Sequence, residues 1–360
     1  MSVLRLLDWL RGSGEYAVTI PSMDGALKPN DELDRAAVLA DITEPDNLVV
    51  HQGKLLFSSG RAVFTGTDQP AAKMHFDSDV TCLASDGDGA MAIGLDDGTL
   101  LVRGGAFDGA KPTPAIGGGT VSPTACHFRS PSRLVVSFGS AVYPPSRWKR
   151  DLMEANASGS IWEFDLAART SRQLAIGLAW PNGLLDLANG ELAFSESWRH
   201  RLMKIAADGR VTVLVDELPT YPARLSRASN GDVLLAGFAP RRQLVEFILR
   251  EPAYKRRMMS EVPKDYWMAP ALKSGRDFRE PLQGGAIRHL GIMKPWAPTK
   301  SYGLVIVMDK DFNFKASLHS RMGGKRHGVT SCVEHAGRLL SCSKGGDVVL
   351  ASEMVWRAGV

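Results

Sequence analysis

"DVTCLASDGDGAMAIGLDDGTLLVRGG", residues 79–105, decides the fold. Three short apolar runs, Val80–Ala84, Ala90–Leu95 and Thr99–Val102, are separated by Asp86-Gly87-Asp88-Gly89 and Asp96-Asp97-Gly98. Runs of four to six residues are too short for helices, and Asp-Gly pairs favour tight reversals, so the stretch reads as three antiparallel strands.

The same unit recurs along the chain. It appears as "DNLVVHQGKLLFSSGRAVFTG" (46–66), "TACHFRSPSRLVVSFGS" (124–140) continued by "GSIWEFD" (159–165), and "NGLLDLANGELAFSESWRHRLMKI" (182–205). It returns as "ARLSRASNGDVLLAGFAPRRQLVEF" (223–247) and "GVTSCVEHAGRLLSCSKGGDVVLAS" (328–352). A fourth apolar stretch follows several units, as in "SRQLAIGLAW" and "RVTVLVDELP". Six units of about four strands predict an all-β, six-bladed β-propeller, in which each sheet buries its faces against its neighbours. "AAVLADI" (36–42), ahead of the first unit, is placed to supply the outer strand of the last blade and close the ring.

Two stretches interrupt the repeat, 143–158 and about 250–302. The second is rich in Met, Pro and aromatics, including Tyr266, Trp267 and Trp296. It reads either as a partly helical lid over a binding site, with Trp267 touching substrate, or as a packing element on the propeller's side. The domain reading is an N-terminal amphipathic segment, 1–20, forming a short helix, followed by the propeller, 21–360.

Composition excludes several classes. The 360 residues are 44% hydrophobic and 23% charged, and 43 basic residues against 39 acidic ones leave a net charge of +4. That balance gives no footprint for nucleic acid. The N-terminal "MSVLRLLDWLRGSGEY" is too short and too charged to span a membrane. Cys82, Cys126, Cys332 and Cys342 lack metal-ligand spacing and read as thiols of a cytoplasmic protein. There is no Walker loop and no G-x-S-x-G elbow, and "GGGTVSPT" (117–124) reads as an interblade loop, so no nucleotide cofactor is implied. Nothing in the sequence fixes an oligomeric state.

Several motifs, taken in order, resemble one group of propellers. "SGSIWEFD" followed by "GLAWPNGLLD", then "FSESWRHRLMKI", then "SYGLVIVMDKDFNFKASLHS" leading into "GVTSCVEHAGRLLS" are similar to the strictosidine synthase-like branch. That branch belongs with the gluconolactonases and paraoxonase-type lactonases. The resemblance spans about residues 20–355 and implies a pocket where the inner strands begin, a small-molecule substrate and a bound Ca²⁺. It places Glu44, Asp46 and Asn47 where the family holds an acidic metal ligand, and Asn182 on the family's Asn ligand.

The departures are as informative. Ala125-Cys126-His127 and Ala223-Arg224 stand where relatives carry Asn or Asp, so the calcium set expected from the family is incomplete. Two readings follow: another metal held through His127 and a carboxylate, or no metal, with the Arg224 guanidinium in its electrostatic place. We take the second, in which Arg224 neutralises Glu44 or Asp46 and offers N–H donors to substrate. Candidate bases are His327 and His127, then Glu44 and Asp46. Asn182, Asp46 and Thr330 are expected to meet substrate.

Thr330 occupies the place of the glutamate with which strictosidine synthase condenses an amine and an aldehyde, so that reaction is not implied. The resemblance implies instead hydrolysis of a lactone or other ester, with a non-catalytic binding propeller as the alternative. Glu196 and His200, four apart in "SESWRH", are expected on the opposite face or between blades, in structural roles.

Overall fold

A computed structural model describes residues 20–114, 122–275 and 300–354, together with the backbone of a two-stranded pair, Arg288–His289 and Ile292–Met293. The expected N-terminal helix, most of the 117–124 loop and much of the 250–302 insertion lie outside the described residues.

Six sheets follow one another around an axis, each a meander of antiparallel strands. Blade 1 runs from Pro45–His51 to Ala71–His75, blade 3 from Pro123–Ser130 to Thr170–Leu178, and blade 4 from Pro181–Asp186 to Val211–Val215. Blade 2 has three described strands, Val80–Ser85, Met91–Leu95 and Leu100–Arg103. Blade 6 takes three strands from 329–352 and its outermost from Ala37–Asp41, which pairs with Val348–Ser352 as the sequence predicts.

Blade 5 corrects the reading of the fifth unit. Residues 241–247 do not form its third strand; Gln243–Leu249 is a helix that buries Val245 and Ile248. Leu244, Val245 and Ile248 have helical spacing, and that period overrides the apolar count. The third and fourth strands, Gly303–Met308 and Phe314–Ser320, come after the insertion. Gly303–Met308 is apolar and buried throughout because both of its faces meet neighbouring blades.

The turns show why the Asp-Gly pairs matter. Asp86 Oδ1 accepts the backbone N–H groups of Asp88, Gly89 and Ala90, at 2.9, 2.9 and 2.8 Å, closing the first hairpin of blade 2. Between blades the packing is close: a Cβ on Gly183 of blade 4 would collide with the Ala223 carbonyl of blade 5. No helix among the described residues is long and apolar enough to cross a membrane.

Candidate functional site

Each inner strand starts at the same face of the ring, so six positions far apart in sequence meet around one mouth. A cavity of about 310 Å³ opens there, lined by Asp46, Thr81, Thr124, Asn182, Arg224 and Thr330, one from each inner strand. Lys344, between the second and third strands of blade 6, completes the floor.

The floor is a compact charge cluster. Asp46 Oδ1 accepts from Arg224 Nη1 at 3.0 Å and Thr330 Oγ1 at 2.8 Å, while Oδ2 accepts from Lys344 Nζ at 2.9 Å. Burial works against the Asp46 carboxylate, but Arg224 and Lys344 outweigh it and bring its pKa down from 3.8 to about 2. Burial likewise opposes the charge on Lys344, and Asp46 outweighs it, raising the lysine above its usual value.

The Arg224 guanidinium lies across the tunnel. Nη2 donates to the carbonyls of Thr81 at 2.6 Å and Thr124 at 3.3 Å, and Nη1 donates to the carbonyl of Thr330 at 3.3 Å. With Asp46, one side chain of blade 5 therefore bonds blades 1, 2, 3 and 6. All four N–H groups of the two terminal nitrogens go to protein acceptors, which leaves the Nε–H as the guanidinium's remaining donor. Lys344 has three N–H groups, of which Asp46 takes one and the other two have no partner among the described residues.

One wall is aromatic, and the sequence did not reveal it. Trp148, Trp180, Trp198 and Phe238 line the cavity together. Trp180 stacks on Trp198 at 5.0 Å, and Trp148 meets Phe238 edge-on at 5.6 Å. Trp198 donates its indole N–H to Asp151 at 2.8 Å, away from the cavity, leaving its ring as an apolar surface. Trp148 and Asp151 both come from the 143–158 insertion, so this interruption of the repeat adds one ring to the wall and anchors a second, Trp198, while Trp180, Trp198 and Phe238 belong to blades 4 and 5. Its only sequence signal was a tryptophan in a segment that breaks the repeat.

Several expected residues lie elsewhere. His327 does not face the cavity: its Nδ1 pairs with Ser301 Oγ at 2.7 Å and its Nε2 with the Arg321 carbonyl at 2.8 Å. His127 sits midway along its inner strand, beside Asp186 at 3.1 Å, in a second cavity of about 400 Å³ on the other side of Arg224. Trp267 is buried in the insertion, donating to the Val262 carbonyl at 2.7 Å, and does not line the cavity; Leu272 does. The Leu272 carbonyl also crosses the backbone of Gly345, where any Cβ would collide with it.

Glu196 and His200 stand on the cavity face rather than the opposite one, because the strand Leu192–Glu196 runs back toward Pro181. Their side chains are structural. Glu196 holds Arg199, Arg201 and the Ala179 N–H, and buried His200 packs on Tyr221. The turn between them delivers Trp198.

No family model matches the sequence, and no curated protein matches it. Solved structures do match. One is a structural-genomics target with a provisional gluconolactonase description: TM-score 0.54, 13% identity, covering 88% of this chain and 91% of that one. Another is a gluconolactonase from Xanthomonas campestris, with TM-score 0.53, 12% identity, and 87% of each chain covered. A calcium-binding protein, regucalcin, from Agrobacterium tumefaciens gives TM-score 0.51 and 12% identity over 88% of this chain and 93% of its own. The fold is that of the gluconolactonase propellers. The strictosidine synthase-like branch is not singled out among them.

Calcium does not fit this floor. A hard dication requires six to eight oxygen ligands with carboxylate among them. Here the Asp46 carboxylate is already neutralised by two cations, and Glu44 pairs with Lys273 at 3.1 Å. Asn47 turns its amide N–H to Ser58 and the Val80 carbonyl; its buried Oδ1, without a partner among the described residues, does not line the cavity. Asn182 is left as an uncharged donor and acceptor in the lining. Among the described residues no three His, Cys, Asp or Glu side chains converge as metal ligands.

Proposed function

We propose that the cavity binds a small molecule with a flat apolar body and a carbonyl, and that the reaction is hydrolysis of a lactone or other ester without calcium. The observation that carries this reading is Lys344, an ammonium held by Asp46 at the base of an aromatic-walled pocket, with two N–H groups that have no partner among the described residues. A carbonyl laid on Lys344 would have its developing oxyanion met by that charge, with the Asn182 amide as a second donor. Of the carboxylates in the lining, Asp79 is the one left to activate water: Glu44 pairs with Lys273, both Asp96 oxygens accept from Ser146, and among the described residues Asp79 has only a long contact of 3.8 Å with Arg61. The similarity of fold to a gluconolactonase supports the reaction class. The four cysteines, all free, suit a reducing, cytoplasmic setting.

The test is turnover of a panel of lactones and aryl esters, with and without EDTA, by the wild type and Lys344→Met. Turnover that survives EDTA and falls about 100-fold in kcat/KM for the variant supports the reading. A second reading, non-catalytic binding, is favoured by one observation: no histidine among the described residues lines this cavity. An inert wild type that binds aromatic carbonyl compounds would establish it.

A further inference from the structure

The oxygens around Arg224 form an unusual set. The carbonyls of Thr81, Thr124 and Thr330 and the carboxylate of Asp46 come from four blades, and all four point at one guanidinium on the tunnel axis. Backbone carbonyls at the starts of inner strands cannot be removed by mutation, so a propeller of this shape gathers partial negative charge at its axis whatever its sequence. Donors must answer it, whether from water, side chains or a bound cation, or the buried oxygens remain unpaired at a cost.

We infer that Arg224 is a built-in cation: it fills the axial oxygen site, excludes divalent metals from it, and holds Asp46, and through Asp46 Lys344, in position. Its planar fork suits the task because two nitrogens can each serve two acceptors, which a single ammonium on a flexible stem cannot do with the same geometry. Arg224 is thus a positioning residue and a tie between blades. This role is independent of the hydrolytic reading, since it concerns how the ring is held.

The test reads stability. The melting temperature of purified full-length protein is followed with EDTA and with millimolar Ca²⁺, for the wild type, Arg224→Ala and Arg224→Lys. The wild type is expected to be indifferent to both additions. Arg224→Ala is expected to melt about 5 °C lower or more and to recover part of the loss in millimolar methylguanidinium or Ca²⁺, in a saturable manner. Arg224→Lys, which keeps a cation, should melt between the two.

A wild type stabilised by Ca²⁺ and weakened by EDTA would overturn the inference. So would an Arg224→Ala protein that melts like the wild type, or one that is destabilised but recovers with neither cation. Should Arg224→Ala fail to fold, Arg224→Lys decides: an unchanged melting temperature, or a new Ca²⁺ response, contradicts the assignment.

Discussion

Replacing Asp46 by Asn tests the charge cluster directly. Asn keeps the shape and one acceptor oxygen but leaves Arg224 and Lys344 without their shared anion. The pKa of Asp46, lowered from 3.8 to about 2, corresponds to about 2 to 3 kcal/mol of preference for the ionised form in the folded state. Breaking a buried pair from one side typically costs about 3–5 kcal/mol, because the remaining charge stays desolvated. The expected loss for Asp46→Asn at pH 7 is therefore about 3 kcal/mol, measured by urea denaturation. The folded pKa is depressed, so the carboxylate's contribution is present above pH 3.8 and is lost as pH falls toward 2. The gap between wild type and variant should therefore narrow across that window. Adding Lys344→Met to Asp46→Asn should recover part of the loss, since one stranded cation is removed. A variant within about 0.5 kcal/mol of the wild type at pH 7, or a gap that does not change between pH 5 and pH 2.5, would refute the reasoning.

Two further outcomes follow. His319 is fully buried between Tyr302 and Ser317, and burial lowers its pKa from 6.5 to about 4. The unfolded chain then takes up a proton that the folded one refuses, so stability should drop by up to about 3 kcal/mol as pH falls from 6.5 to 4, and His319→Gln should flatten that slope in denaturation midpoints. Trp148→Ala removes the half-buried edge of the aromatic wall and should raise KM for aromatic substrates about tenfold while leaving small aliphatic lactones little changed, as steady-state kinetics on matched pairs would show.

The blades were legible because their signal is local: Asp and Gly at reversals and apolar runs of strand length between them. Blade 5 was misread where it stopped being local, because its third strand begins at Gly303, about 60 residues after its second ends. Asp46, Asn182 and Thr330 could be found because they share one offset, the second residue of an inner strand, and the ring brings equal offsets together; Arg224, the fifth residue of Thr220–Arg227, was found from the repeat alignment instead. Lys344 had no such offset; it sits in a hairpin loop, and only the ring's curvature brings it over Asp46. His327 shows the limit from the other side. It stands two residues before the strand Val329–His335, near the expected position, yet Ser301 from across the insertion captures its ring. A strand's start can be read from sequence, but where a side chain turns depends on partners outside the strand, for His327 at 6 and 26 residues' distance.

The sharing of blade 6 between Ala37–Asp41 and Val348–Ser352 has a consequence during synthesis. The early strand emerges from the ribosome with its hydrogen-bonding edge bare, and its partner is made some 300 residues later. Blades 1 to 5 can form in turn as they appear, but the circle stays open throughout, with the faces of blades 1 and 5 uncovered at the gap and the 37–41 strand unpaired. For that interval the nascent chain carries one bare edge, suited to the 348–352 strand of any neighbouring chain that is already complete. Crowded translation would then favour exchange of the 37–41 strand between copies over closure within one.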